Sequence, residues 1–548
     1  MPELLPRRSA GPAVDAVIIG AGHHGLVAAA TLADAGWDVL VLEQRQVVGG
    51  AVHSSDRDGW VMDTFSACHP LALASPVLRH LDLPAHGLRW AWAPTQVAHL
   101  ARPGESQAPA IEARAQDTAA ALAQDAARDG ATWLRLVEQY EQVKGPLLDA
   151  LLTQWPPLTS AARLLRRVHP SGVADFARFL LLPALRLGEE LFEGRAGREL
   201  LAGNALHADV PLTAPVSGMF GWLLAMLAQD VGYPAPVGGA GQLAAALARR
   251  AQAAGAQLRT GVSVDRIVVR DSRVAGVRTL AGEWIAVRRA VVADTSAPAL
   301  YGRLLDPAQV PDGLRARVRN FAWDLPTVKT NYRLAADMPW TARQARAAGV
   351  VHVGRDVPGM VRWSAHLESG RVPTAPFALV GQMTTIDPTR SPRGTQALWL
   401  YTHLPRGVTD EGAARATIEH TETMLDAFAP GWRELVLDRW DQTPADLQRA
   451  DANLGDGAVG GGTSQLFQQG LWRPATGFGG PRTHLRGLYL GSAASHPGGG
   501  VHGACGYLAA RAALRDVGLA GRGLDRLRLG ALHRLYGDPA PGWVGRAR

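Results

Sequence analysis

The segment from Val14 to Glu43 constrains this chain more than any other. Val14-Asp15-Ala16-Val17-Ile18-Ile19 is the apolar, β-branched run that a buried parallel strand requires. It passes into Gly20-Ala21-Gly22-His23-His24-Gly25, and Leu26–Ala35 then reads as an alanine-rich helix stopped at Gly36. A second strand, Asp38–Leu42, ends on Glu43, 18 positions beyond the third glycine. A GxGxxG between strand and helix, followed by an acid at that distance, is the dinucleotide-binding fingerprint. Gly20 permits the tight turn, Gly22 lets a pyrophosphate approach the backbone, and Gly25 lets the helix pack closely on the strand. The helix N-terminus favours phosphate charge, and Glu43 can accept hydrogen bonds from ribose hydroxyls.

The next residues separate a flavin from a nicotinamide. Arg45 and Val47-Val48-Gly49-Gly50-Ala51 come directly after Glu43, where a nicotinamide dehydrogenase would begin its next helix. A double glycine there lets a second loop reach the pyrophosphate of an extended FAD. Gly238-Gly239-Ala240-Gly241 lacks the preceding strand of a second fingerprint, so one dinucleotide site is expected, filled by FAD. The two cysteines, Cys68 and Cys505, form neither a redox pair nor a Cys-rich metal site, and the 17 histidines show no metal-ligand spacing.

The net charge of +7 does not point to nucleic acid, because the arginines are scattered and often stand beside acids. No apolar run reaches the length of a transmembrane helix, and the N-terminal residues lack the apolar core of a secretory signal. A cytoplasmic protein is expected. The amphipathic run Ala161–Val168 and the apolar Phe176–Leu187 suggest either peripheral membrane contact or a greasy substrate tunnel, with plain helix packing as the simpler account.

Helical periodicity covers Thr118–Ala127, Trp133–Val143, Pro146–Leu152, Thr159–Val168 and Val173–Leu187. After a Pro/Gly hinge at 232–241 come a helix, Gln242–Ala254, and short strands at 257–259, 263–270, 273–279, 283–287 and 290–293. Strands are also expected at 327–334 and 397–403, a helix at 411–429, and near the C-terminus a strand at 487–490 running into Gly491–Val501 and a helix from Ala504.

The segments Val17–Gly50, Gly232–Pro298 and Gly487–Ala510 resemble the phytoene desaturase-like flavoproteins, a branch of the group that includes the amine oxidases. The GAGHxG start, the VVGGA segment and the HPGGGVxGAxG finish are similar to the subgroup called pyridine nucleotide-disulphide oxidoreductase domain-containing protein 2. The likeness implies an α/β fold: a discontinuous Rossmann-like FAD domain (1–100, 230–300, 450–548) interleaved with an α+β substrate domain (101–229, 301–449). It places Gly20, Gly22 and Gly25 on the pyrophosphate, Glu43 on the ribose, and Arg45, Gly49, Gly50 and Ala51 along the adenosine and phosphates. Val262 would meet the adenine through its backbone, Gly491 and Ser492 the ribitol and phosphates, and Gly499, Gly500 and Val501 the flavin pyrimidine ring. Two positions depart from the family pattern: Ala51 replaces an arginine usual in carotenoid desaturases and amine oxidases, and His24 replaces an asparagine of many relatives.

Flavin dehydrogenation sometimes needs a base, for which His69, His496, His502 and Lys329 are the candidates. Each has a plainer reading as a cap or packing residue or, for Lys329, a strand lysine facing solvent. The expected activity is an FAD-dependent oxidoreductase that removes hydride from, or isomerises, a predominantly apolar small molecule, with oxygen or a quinone as acceptor. The alternatives are an amine oxidase-type enzyme, a nicotinamide-dependent dehydrogenase, and a catalytically idle flavin-binding regulator.

Overall fold

The computed structural model describes residues 13–168 and 170–537. The apolar run at the start forms the strand Val14–Ile19, buried along its whole length, at the centre of a seven-stranded sheet. It pairs in parallel with Val39–Leu42 on one side and with the C-terminal half of Trp284–Ala293 on the other. Gln257–Arg259 and Leu488–Leu490 extend this parallel core, and Val264–Arg270 and Arg273–Thr279 add an antiparallel hairpin to the N-terminal half of Trp284–Ala293. The helices His23–Asp34, Gly241–Ala253 and Ala504–Asp516 cover one face through an alanine- and leucine-rich core.

A second seven-stranded sheet takes its strands in the order 436–442, 327–334, 396–403, 378–382, 348–353, 95–100, 110–112. All its pairs are antiparallel except Thr95–Leu100 with Ala348–Val353. The expected boundary at residue 100 therefore falls at the end of a strand of the second sheet. The helices of 115–230 pack together around Trp133, Tyr140 and Trp222. Residues 1–12 and 538–548 of the expected domain ranges, including the N-terminal stretch read for a signal, lie outside the described residues.

Three element boundaries differ from the sequence reading. Helix Ala127–Leu151 runs unbroken through Pro146, because Leu147 and Leu148 beyond it are buried and hold its register. Conversely, Pro183 splits the expected 173–187 helix into Val173–Leu181 and Ala184–Leu191, with Leu182 extended as a residue before proline prefers. Arg288 and Arg289 interrupt the apolar pattern yet not the strand Trp284–Ala293, since both guanidinium groups pair with Asp15 (2.8 and 3.2 Å).

The packing of the C-terminal helix on the first helix is steric at one residue. A Cβ at Gly506 would lie 1.8 Å from the carbonyl oxygen of His24. Alanine favours a helix interior over glycine by about 1 kcal/mol, so Gly506→Ala would stabilise a free helix. Here it is expected to destabilise, by the roughly 1–3 kcal/mol of an overpacked core, read as a lowered midpoint in denaturant unfolding.

Candidate functional site

The C-terminal ends of the central parallel strands open onto one cleft of about 390 Å³, the position where open α/β sheets bind ligands. Ile19, Gly20, Leu42, Glu43, Asp294 and Ser492 line it at or just beyond the ends of their strands. At its floor, Gly20 has a φ of +96°, and a Cβ there would lie 2.8 Å from the Asp294 carbonyl oxygen. A Cβ on Gly22 would lie 2.6 Å from Asp294 Oδ2, and one on Gly25 2.3 Å from the Gly20 carbonyl oxygen. The helix from His23 begins with Gly22 as its cap, with no side-chain cap and no acid in its first turn. That leaves a positive helix end at the cleft wall.

Glu43 ties the turn to the next loop. Its Oε2 accepts from the Ala21 N–H and its Oε1 from the Arg45 N–H, both at 2.8 Å. The double-glycine loop docks on the turn, the Gly49 N–H donating to the Ala21 carbonyl at 2.8 Å. Gly50, with φ +55°, lies where a Cβ would be 3.4 Å from the Gly22 Cα.

Of the residues expected to hold a cofactor, Gly20, Gly22, Glu43, Arg45, Gly50, Ala51, Val262, Ser492, Gly500 and Val501 all line this cleft. Gly25, Gly49, Gly491 and Gly499 support it from behind: a Cβ on Gly491 would strike Val292, and one on Gly499 the Gly460 carbonyl (2.7 and 2.3 Å). The Val262 N–H is already given to the Glu43 carbonyl at 2.8 Å, so it is not the group a ligand would meet.

The four candidate bases separate. His69 lies on the cleft wall with Nε2 buried and unpartnered, and burial pulls it down to about 4. His502 is off the wall. Its Nδ1 accepts from the Ala504 N–H at 3.0 Å, and its Nε2 stands 3.3 Å from the Gly498 carbonyl. His496 packs edge-on to Trp155, also off the wall, and is likewise lowered by burial to about 4. Lys329 does not face solvent, contrary to the plainer reading: it is 3% exposed and donates to the Asp63 carbonyl and, at 2.7 Å, to Asn331 Oδ1. Burial lowers it to about 7.

Sequence reasoning missed Asp294, Asp451, His207, Asp209 and Tyr401, all on the wall. Asp294 had a signal, standing at the end of an apolar run like the one before Gly20; the others had none. Spacing also gave no metal motif, yet the fold brings ligand atoms of His24, His502 and Cys505 within 4.8 Å of one another. Cys505 Sγ there faces the carbonyls of Ser495 and Gly498. Burial raises both Cys68 and Cys505 to about 12, so the thiols stay protonated.

The family model for flavin-containing amine oxidoreductases matches residues 25–514. The chain is 27% identical to pyridine nucleotide-disulfide oxidoreductase domain-containing protein 2 of Rattus norvegicus, over 92% of this chain and 94% of that one. It is 26% identical to the zeta-carotene-forming phytoene desaturase of Myxococcus xanthus, over 88% and 90%. Its fold is similar to that of an oxidoreductase from Methanosarcina mazei, with a TM-score of 0.58 at 16% identity, covering 91% of this chain and 99% of that one.

Asp294 carries a pH prediction. Burial raises its carboxyl to about 8; the Gly25 N–H opposes this, and Asp451 and Glu43 add to it. Folding therefore favours its protonated form. Its contribution is full below the unfolded value near 3.8 and is lost as pH rises through about 8. The share of thermal stability that depends on Asp294 should thus fall between pH 5 and about 8. It does so against the buried histidines, whose lowered values make stability rise over the lower part of that range. The melting-point difference between the native protein and Asp294→Asn isolates it and should fall as pH rises.

Proposed function

The chain belongs to the flavin-containing amine oxidoreductases and is an FAD-dependent oxidoreductase, and on that premise we propose that it dehydrogenates or isomerises a predominantly apolar small molecule. The observation that carries this reading is the convergence of three chain-distant loops, 49–51, 294–296 and 491–501, on the glycine turn of the fingerprint. The uncapped helix end suits a pyrophosphate, and the absent Cβ atoms let Asp294 pack directly on the turn that would hold it. Gly20, Gly22 and Gly25 would hold it, Glu43 the ribose, Arg45, Gly49, Gly50 and Ala51 the adenosine side, and Gly491, Ser492, Gly499, Gly500 and Val501 the ribitol and flavin ring. When bound, FAD would supply the hydride acceptor for the reaction and the route of the electron pair to an external oxidant.

The chain's own part is to shape the site and to receive the proton that accompanies hydride loss in a desaturation. His69 suits that task best: it is neutral at pH 7, its Nε2 has no other partner, and it stands on the wall. His496, His502 and Lys329 would act as positioning residues. Phe65, Leu71, Leu454 and Val459 line the same cleft and support an apolar substrate. Oxygen or a quinone is the proposed acceptor. The turn at 238–241 follows only a two-residue strand of a separate ribbon, which does not suit a nicotinamide dinucleotide.

No helix among the described residues is long and apolar enough to cross a membrane. Exposed Trp155, Leu158, Phe467 and Trp472, with Arg166 and Arg167 beside this segment, support peripheral contact with an anionic membrane surface.

Anaerobic mixing with terpenoid hydrocarbons and alcohols should bleach the flavin absorbance, and oxygen or a quinone should restore it. Bleaching by hydrophilic acids alone, or restoration by NAD(P)+ alone, would overturn the reading. Glu43→Ala should weaken FAD retention about 10- to 100-fold, as loss of charge-assisted hydrogen bonds does, with Glu43→Gln intermediate; spin-filtration of the released flavin measures it. His69→Asn should slow flavin reduction at pH 7. The reduction rate of the native protein should fall as pH drops toward about 4, and the variant should lack that fall.

A further inference from the structure

One end of the cleft is polar in a way the dinucleotide does not use. His207, Asp209 and Tyr401 line it there, with Cys68 and His69 on the same wall. Asp209 follows the helix Arg195–Leu206 and is held at φ +53°, a conformation aspartate tolerates better than most residues. Behind it stands His403, the last residue of the strand Gln396–His403. Its Nε2 is 2.9 Å from Asp209 Oδ1. Oδ1 is buried against this ring, which leaves the cleft the other oxygen of the Asp209 carboxylate. Tyr401 packs edge-on to His403 with ring centroids 5.4 Å apart.

We propose that Asp209, backed by His403, is the polar end of the substrate site and takes the hydroxyl of an otherwise apolar alcohol in preference to the corresponding amine. This rests on the reading of the cleft as the site of an apolar substrate and deepens it. Burial alone would strip the proton from His403, but Asp209 and Asp324 outweigh burial and raise it. The carboxylate of Asp209 is therefore already matched by one cation. Asp324 is off the cleft wall, and its oxygens accept from the Gly460 and Gly462 N–H groups at 2.5 and 3.0 Å. A substrate ammonium would place a second cation against one available carboxylate and lose its own hydration. A hydroxyl donates to the cleft-side oxygen with no charge to desolvate. A hydrocarbon leaves the oxygen unpaired, the situation that makes a buried polar site reject analogues lacking the partner group.

The test is equilibrium titration of the flavin-loaded full chain with three probes of one skeleton: geraniol, its 1-deoxy hydrocarbon and geranylamine. Both tryptophan fluorescence and the flavin difference spectrum are read. Geraniol should bind about tenfold or more tighter than either analogue, the usual size of one hydrogen bond to a charged group. Asp209→Asn, which keeps the backbone conformation accessible, should bring the alcohol-to-hydrocarbon ratio close to one. Equal or tighter binding of the amine, no binding of the alcohol, or an unchanged ratio in Asp209→Asn would overturn the inference. The native protein's ranking of the probes stands even if the variant does not fold. Because the fluorescence titration needs no turnover, a chain that binds geraniol selectively yet never bleaches would sink the oxidoreductase reading and leave this one standing.

Discussion

The contact between Asp294 and the glycine turn is the joint around which the cleft is assembled. Asp294 directly follows the strand paired with Val14–Ile19, and its Oδ2 accepts from the Gly25 N–H at 2.8 Å. The next residues gather segments far along the chain. Asn453 Nδ2 donates to the Asp294 carbonyl at 3.2 Å, the Ser296 N–H donates to Asn453 Oδ1 at 2.9 Å, and Ser492 Oγ donates to the Thr295 carbonyl at 2.6 Å. The close approach exists only because three glycines lack a Cβ. Any side chain there would push the strand end away and take the loops at 453 and 492 with it.

The same joint concentrates negative charge. Glu43, Asp294 and Asp451 all line the cleft, and burial raises Asp294 and Asp451, each further opposed by its neighbouring acids. Position 51, beside the double glycine, is an alanine and adds no positive charge. The positive partners that remain are the uncapped helix end and Arg45, whose charge draws Asp451 down against its burial. The net charge of the whole chain, +7, says nothing about this local field. A protonated Asp294 removes one negative charge where a diphosphate would sit, which reconciles an acidic pocket with an anionic ligand.

Much of the first sheet was legible because its signals are local. A β-branched run bounded by Gly or Asp is a strand whatever surrounds it, and the strands at 14–19, 257–259 and 273–279 fall at the expected residues, as does 327–334 in the second sheet. The glycine loops were legible for the same reason, since the requirement for φ > 0 or an absent Cβ is written in the residue itself. The polar wall was not. Asp209 and His403 stand 194 positions apart, by subtraction of their numbers, and neither has a motif around it. Their meeting is fixed by the docking of the helix Arg195–Leu206 near the second sheet. The helix through Pro146 and the split at Pro183 show the same limit: proline marks a place where a helix can break, and packing on either side decides whether it does.

Lys329 shows how far tertiary burial can overturn a local reading. Its strand alternates, and a lysine among Thr and Asn looks like an outward residue. The register places it instead at the junction of the second sheet with the Trp60–Asp63 ribbon, where Asp63 is shared. The Asp63 carboxylate already accepts from Arg390, from Ser54 Oγ (2.6 Å) and from the Ala240 N–H (2.8 Å). Arg390 and Asp63 are both fully buried, so that charge pair is closed on itself. Lys329 is left the Asp63 carbonyl and the Asn331 amide, two neutral acceptors, with a guanidinium nearby. Burial lowers it most, Asp63 restores part and Arg390 removes more, so the amine titrates at about 7. A buried ammonium with its counter-ion already spoken for is costly. The protein meets that cost by letting the proton go, which makes the more buried of its two lysines the one that can be neutral at physiological pH.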